Sequence, residues 1–184
     1  MASSLASLGR WPESVVQYRE AVRLAPEDAD LRRDLGVIAA AVGELGEART
    51  HLSKALELRP GFAAAHFQLG LVSVKQGRLE SALHSFGQAL DYDPQHPRAR
   101  LERVKALMQL GRRTQLLDEL STLLDEQPPQ DESEVLRLAT LLATLGDREG
   151  ARRHFLRLAE GSAPAAVRAQ AQLRIAQLKA SEDR

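Results

Sequence analysis

The stretch GRLESALHSFGQALDYDP, residues 77–94, decides the fold of this chain. It predicts one amphipathic helix that is entered at a glycine and left at a proline. Ala82, Phe86 and Ala89 lie at i, i+4 and i+7, a spacing that places all three on one face of a helix. Two small residues therefore flank one ring, which predicts a helix contact too close for larger side chains.

The composition favours helices and limits the possible chemistry. Of the 184 residues, 43% are apolar but only 4% are aromatic, so leucine and alanine must supply most of the burial. The 25 basic and 25 acidic side chains cancel, which leaves no overall field to attract nucleic acid or anionic lipid. Without cysteine there is no disulfide and no cysteine zinc site. Apolar runs are far shorter than the ~20 residues of a membrane span. We therefore expect no membrane insertion and a cytoplasmic location, with a periplasmic or other soluble compartment left open.

The same pattern recurs every 34 residues. Four glycines and four prolines keep this interval: Gly9, Gly43, Gly77, Gly111, Pro26, Pro60, Pro94 and Pro128. A fixed period of this length indicates stacked supersecondary units, each of which buries its apolar face against the next. Within one unit, residues 63–76 predict a first helix, which Gly77 breaks. Residues 80–93 predict a second helix, which Pro94 ends.

The unit resembles the tetratricopeptide repeat (TPR), which has the same length and places Leu-Gly early and Ala, an aromatic and Ala later. Two adjacent units carry the matching residues Leu35, Gly36, Ala48, Leu52, Ala55 and Pro60, and Leu69, Gly70, Ala82, Phe86, Ala89 and Pro94. The resemblance implies an all-α fold, a right-handed α-solenoid of antiparallel helix hairpins. Gly70 is then expected to face Ala82 and Ala89. The two helices would approach closer than the usual ~8–10 Å, with Phe86 in the gap beside them.

The resemblance divides the whole chain, as a single array, into five repeats and a cap. The boundaries are 1–28 for a truncated repeat 1, 29–62 for repeat 2, 63–96 for repeat 3, 97–131 for a degenerate repeat 4, 132–163 for repeat 5 and 164–184 for a C-terminal capping helix. Repeat 4 has Val104, Leu116 and Leu123 at the three small positions, so its hairpin is expected to be splayed or shifted. Repeat 5 slips by one residue after QPPQ. The truncated repeat 1 favours a fragment of a longer array, or another element that covers that end.

The sequence contains no recognisable catalytic or cofactor motif. It has no GxxxxGK(S/T), GxGxxG, GxSxG or HExxH. His51 and His84 lie almost in phase on second helices of adjacent repeats, but no third ligand accompanies them, so solvated imidazoles are favoured over a metal site. The basic stretch 98–113 is followed by an acidic one, and few aromatics are available to stack on bases. We therefore predict no enzyme activity, cofactor, metal or nucleic-acid partner.

The first helices carry a second apolar stripe, which is the best functional clue. In repeat 3 this stripe holds Phe67, Leu71 and Val74, on a different face from Gly70. First helices in similar arrays line a concave surface, and the equivalent positions define a candidate groove: Arg33, Val37, Phe67, Leu71, Val74, Arg98, Leu101, Lys105, Met108, Leu136, Arg137 and Thr140. An apolar floor with cationic residues suits an amphipathic helix or an extended segment that bears a few acids. The alternative is that neighbouring first helices bury the stripe.

The resemblance implies protein–protein interaction. We predict a non-catalytic scaffold or adaptor that binds a peptide or protein surface, with apolar and acidic residues, in the candidate groove. Two alternatives stay open: a recruiting segment of a larger enzyme or of a secretion or assembly machine, and self-assembly through the truncated repeat 1. One similar subfamily clamps the terminal carboxylate of heat-shock chaperone tails, and the matching positions here are Arg33, Val37, Gln68, Arg98 and Glu102. Val37 replaces an amide and Glu102 reverses a charge, so such a clamp is disfavoured.

Overall fold

The computed structural model describes residues 11–96 and 98–182 of the chain, and these residues form ten α-helices joined by turns. They are α1 (Trp11–Leu24), α2 (Ala29–Ala41), α3 (Leu45–Leu58), α4 (Ala63–Lys75), α5 (Leu79–Tyr92), α6 (Ala99–Leu110), α7 (Arg113–Glu126), α8 (Glu132–Thr144), α9 (Arg148–Glu160) and α10 (Ala165–Glu182). No strand occurs within these two ranges, as predicted. The expected end of a first helix within residues 1–10 lies outside the described residues.

Helix ends fall where the sequence pattern predicts them. Both helices of repeat 3, α4 and α5, match the prediction to within one residue at each end. The turns between paired helices hold glycines with positive φ: Gly43 at 88°, Gly77 at 72°, Gly111 at 67° and Gly146 at 105°. Side chains with a Cβ rarely adopt this conformation, so glycine closes each hairpin. Gly146 follows Gly111 by 35 residues rather than 34, which confirms the one-residue slip of repeat 5.

The helices form two compact units, the first ending at Gln109 and the second beginning at Leu110. In unit 1, each of α2 to α5 packs against the helix before it, and α2 also contacts α4. In unit 2, α8 packs against α7, α9 against α8, and α10 against both α8 and α9. Packing of each hairpin on its neighbours is typical of helical repeats. The boundary falls in the last turn of α6, within repeat 4, so the expected splaying of that hairpin stays a prediction.

Gly70 makes room for a ring in the core of repeat 3. Phe86 is fully buried in a cluster with Ala82, Ala89 and Phe67. A β-carbon placed on Gly70 would lie 2.6 Å from Phe86 Cδ1, and the atoms nearest to it all belong to this ring. The atoms nearest to this position therefore belong to the Phe86 ring rather than to Ala82 or Ala89.

Repeat 2 shows the same arrangement with an aliphatic side chain. A β-carbon on Gly36 would lie 2.7 Å from Leu52 Cγ and 3.1 Å from the carbonyl oxygen of Ala48. Leu52 and Ala48 are both fully buried. The backbone of α3 approaches the glycine here, as the run of small residues predicts. A single glycine on the first helix thus sets the packing of the hairpin in both repeats.

Unit 2 keeps the pattern predicted for repeat 5 and the cap. Ala139, Ala151 and Phe155 are buried in the contact between α8 and α9. In α10 the side chains of Val167 and Ala171 are buried, whereas most of the remaining residues of this helix are exposed. Helix α10 therefore buries one side, and its role as a cap stays a prediction.

Candidate functional site

Three first helices of unit 1, α2, α4 and α6, carry most of the candidate groove. Its residues here are Arg33 and Val37 on α2, Phe67, Leu71 and Val74 on α4, Arg98 just before α6, and Leu101, Lys105 and Met108 on α6. The ammonium group of Lys75 on α4 donates a hydrogen bond to the carbonyl oxygen of Ala40 on α2, at 3.1 Å. The guanidinium of Arg98 lies 5.8 Å from the centre of the Phe67 ring. These contacts connect α2 to α4 and α4 to the start of α6.

The stripe on α4 is partly core and partly surface. Phe67 is only 5% exposed, and its ring packs against the rings of Phe86 and His96, with centroids 5.9 and 4.4 Å away. Leu71 and Val74 pack against the same cluster but stay half-buried. Phe67 therefore belongs to the core of unit 1, whereas Leu71 and Val74 keep some apolar surface accessible.

Helices α2 and α6 also carry accessible apolar side chains. Met108 is 45% exposed, while Leu101 on α6 and Val37 on α2 are half-buried. Like Leu71 and Val74 on α4, these side chains leave some apolar area in contact with water. A partner that covered them would gain free energy from the area removed from water.

Each cation of the groove in unit 1 has an acidic neighbour. Arg33 Nη2 lies 2.6 Å from Asp34 Oδ1. Arg98 and Lys105 lie 3.6 and 3.2 Å from one oxygen, Oε1 of Glu102. The side chains of Arg98 and Lys105 nevertheless stay 63% and 46% exposed, so both can still meet a carboxylate of a partner. Glu102 is the one acidic residue of the basic stretch 98–113, and it lies within reach of both cations.

Two pKa shifts in unit 1 have structural causes, one at His96 beside Phe67 and one at Glu47 on α3. Burial lowers the pKa of the His96 imidazole, against a smaller opposing effect of Asp93, so the neutral ring that packs on Phe67 is favoured. A hydrogen bond from Arg19 lowers the pKa of Glu47 to about 2. Arg19 Nε donates to Glu47 Oε1 at 2.8 Å and so joins α1 to α3. The Arg19–Glu47 pair therefore links the second helices of repeats 1 and 2.

In unit 2 the predicted groove residues lie on α8 and differ in accessibility. Leu136 is buried, whereas the side chain of Arg137 is exposed and pairs with Glu134. Thr140 donates a hydrogen bond to the carbonyl oxygen of Leu136, at 2.8 Å. Thr140 also lines a cavity of about 210 Å³, to which α9 contributes Phe155 and α10 contributes further side chains. Of the three predicted groove residues on α8, Arg137 and Thr140 are therefore accessible to a ligand, whereas Leu136 is not.

Unit 1 has a cavity apart from the candidate groove, which the sequence did not reveal. We call it the outer cleft: a cavity of about 490 Å³ whose walls are α3 and α5 and whose floor is α4. Its polar residues include Arg49, Ser53, Arg78, Ser81, His84 and Ser85. On α4 its floor holds Leu69 and Ser73, which lie about 150° around the helix from the stripe of Leu71 and Val74. A polar lining carries no apolar periodicity, and so the sequence pattern cannot distinguish it from ordinary solvated helix surface.

The described residues contain neither a metal-binding cluster nor a membrane-spanning helix. Across residues 11–96 and 98–182, no group of three or more metal-binding side chains is placed to hold an ion. His51 lies 3.7 Å from Glu47 instead, and His84 lines the outer cleft. None of the helices described above combines the length and apolar character that crossing a bilayer requires.

Several solved structures share this fold. YrrB, a TPR protein with an unusual peptide-binding site, has a TM-score of 0.71 and 22% identity over 90% of this chain and 84% of its own. MamA has a TM-score of 0.74 and 14% identity over 96% and 97%. The first TPR of Spaghetti (RPAP3), bound to the HSP90 peptide SRMEEVD, has a TM-score of 0.58 and 17% identity over 60% and 87%. At these identities the likeness shows the fold, and it confirms the predicted α-solenoid of helix hairpins.

No curated protein sequence matches the chain, but models of a repeat family do. Family models of the tetratricopeptide repeat match residues 1–63, 38–83 and 73–142. These matches together span residues 1–142, well over half of the 184 residues. The chain therefore belongs to the tetratricopeptide repeat family.

Proposed function

We propose that this protein is a non-catalytic interaction scaffold that binds a peptide or protein surface on the candidate groove of unit 1. The observation that carries the proposal is the accessible apolar area on α2, α4 and α6, together with the exposed side chains of Arg98 and Lys105. YrrB has a peptide-binding site, and the first TPR of RPAP3 is bound to a peptide, which supports the same class of function here. The proposal covers an independent adaptor and a recruiting segment of a larger enzyme or assembly machine, because both would use the same face.

The partner segment carries apolar side chains and at least one acid. Its apolar side chains cover Met108, Leu101 and Leu71, which are accessible in the free chain. Its carboxylate joins Arg98 and Lys105, which share a single carboxylate in the free chain and have donors to spare. A clamp for chaperone tails is not part of the proposal, because Val37 and Glu102 remove the amide and the cation that such a clamp requires.

The binding test uses two variants of α6. We expect Leu101→Ala with Met108→Ala to weaken binding of a peptide selected from a display library by about tenfold to a hundredfold, since central apolar anchors carry most of an interface's energy. We expect Arg98→Gln with Lys105→Gln chiefly to slow association and to reduce its salt dependence. Glutamine is chosen because a glutamate would add a carboxylate beside Glu102. Calorimetry gives the affinity and stopped-flow mixing gives the association rate.

The matched control for this test is Leu173→Ala on α10, where the leucine is also exposed. It should leave the affinity unchanged. If both α6 variants bind the peptide like the wild type, the groove of unit 1 is not the site and the proposal fails.

Self-assembly is a second candidate function, and α1 favours it. Val16 and Leu24 are 57% and 71% exposed and lie eight positions apart, a spacing that keeps them near one face of the helix. If a second copy covers this face, light scattering should show a molar mass that rises with concentration. Val16→Glu with Leu24→Glu should hold the mass at that of the monomer. A wild-type mass that stays monomeric throughout the concentration series would reject self-assembly.

A further inference from the structure

The outer cleft has no role in the proposed groove, because it opens on the other side of α4. Its cavity of about 490 Å³ lies within the size range of small-ligand pockets, roughly 300–1,000 Å³. The walls come from the second helices of repeats 2 and 3, α3 and α5, and both present polar side chains to it. A ligand in the cleft would therefore contact two successive repeats at once.

Two arginines of the outer cleft have their donors available. Arg49 and Arg78 are exposed, on α3 and directly before α5, and neither forms an ion pair or a side-chain hydrogen bond with any residue the structure describes. The acid in the lining, Glu80, is already engaged in an interaction of its own. His84 and Ser81 add further donors on α5. The cleft therefore carries an excess of cationic, hydrogen-bond-donating groups.

Ser85 adds a further hydroxyl donor to the outer cleft. It is only 6% exposed, it lines the cleft, and its hydroxyl has no hydrogen-bond partner within residues 11–96 and 98–182. Its oxygen is not fully enclosed, so a ligand in the cleft can reach it. Ser73 on the floor differs, since its hydroxyl already donates to the carbonyl oxygen of Leu69 at 2.8 Å. The hydroxyl of Ser85 is therefore free to donate to a ligand.

The start of α5 adds a positive field to the same place. This helix has 14 residues, and its N-cap residue, Arg78, makes no side-chain hydrogen bond to the first turn. The free backbone N–H groups of a first turn attract anions, and the helix dipole acts in the same sense. Arg78, Glu80 and Ser81 of this turn all line the cleft. The uncapped turn, the two arginines and the Ser85 hydroxyl thus bring hydrogen-bond donors to one cavity.

We propose that the outer cleft is a binding site for a phosphate monoester group. Donors reach it from α3 and from α5, and therefore from different directions. A phosphate group offers three strong acceptor oxygens arranged around one atom, whereas a carboxylate offers two in a plane. The volume leaves room for the molecule that carries the phosphate, which is either a free metabolite-sized ester or a phosphorylated side chain of a partner.

The test titrates the full chain with inorganic phosphate, O-phosphoserine, a phosphoserine peptide, its unphosphorylated form and acetate, followed by calorimetry and NMR. We expect O-phosphoserine to bind with a Kd below about 1 mM. Arg49→Gln with Arg78→Gln should weaken this binding at least about tenfold, since hydrogen bonds to charged groups are strong. Ser85→Ala should weaken it less. A peptide that binds much more tightly than O-phosphoserine identifies a phosphorylated partner as the source, and equal affinities identify a small ester.

Two control variants test whether a loss of phosphate binding is specific to the outer cleft. Arg168→Gln on α10 removes an exposed arginine far along the chain and should leave phosphate binding unchanged. The variant that carries both Leu101→Ala and Met108→Ala should also bind O-phosphoserine like the wild type. Failure of the groove proposal would therefore not affect the proposal of a phosphate site. The assignment is overturned if no phosphate probe binds, if acetate binds as well as O-phosphoserine, or if the double arginine variant binds like the wild type.

Discussion

Replacing Gly70 with leucine is expected to lower the free energy of unfolding by about 3 kcal/mol, at the upper end of the usual cost of overpacking. A β-carbon alone would already lie 2.6 Å from Phe86 Cδ1, well inside van der Waals contact. The ring cannot move aside easily, because Phe86 is fully buried among Ala82, Ala89 and Phe67. The added side chain must therefore push α4 and α5 apart. Urea unfolding followed by circular dichroism measures the loss.

The matched control is the same substitution at Gly87 on α5. A β-carbon there would meet no atom within 4 Å. Because leucine is a better helix former than glycine, Gly87→Leu is expected to raise the free energy of unfolding by about 0.5–1 kcal/mol. Similar losses at Gly70 and Gly87 would mean that glycine is not required for the helix contact of repeat 3.

Phe67→Ala is expected to cost about 3 kcal/mol of unfolding free energy, because truncating a buried aromatic residue removes its contacts and leaves a cavity. Phe67 is almost fully buried and its ring packs against those of Phe86 and His96. Thermal and urea unfolding of the variant measure the loss. The substitution should also reduce the apparent affinity for any groove partner, as a consequence of unfolding.

Leu173→Ala serves again as the control, because an exposed leucine should change stability by no more than about 0.5 kcal/mol. The two roles of Phe67 are separable by this measurement. If Phe67→Ala leaves the stability unchanged and still abolishes peptide binding, Phe67 acts as a groove residue rather than as part of the core.

Most of the fold could be predicted from the sequence because its signals are local. Gly77 adopts a positive φ that other residues avoid, and Pro94 cannot continue a helix, so both mark the ends of α4 and α5 wherever the rest of the chain lies. The 34-residue interval then places the other hairpins. Even the irregular step to Gly146 could be predicted, from one extra residue in the spacing.

The burial of each side chain could not be predicted in the same way. Helical spacing shows that Phe67 and Leu71 share a face, but burial depends on which rings the neighbouring helices bring to that face. His96 and Phe86 cover Phe67 and leave Leu71 half-buried. The outer cleft was missed for a related reason, since its polar residues carry no periodic signal. Its donors come together only when α3 and α5 are packed on α4.

The order of packing in unit 1 has a consequence for how the chain acquires its structure. Each of α2 to α5 packs on the helix immediately before it, so native contacts join parts of the chain that are close in sequence. Closing short loops costs little entropy, and proteins dominated by local contacts fold faster than those that depend on distant pairings. During synthesis each hairpin can therefore dock as soon as it leaves the ribosome, before the later residues have been made. Little apolar surface of unit 1 then stays exposed until distant parts of the chain have been made.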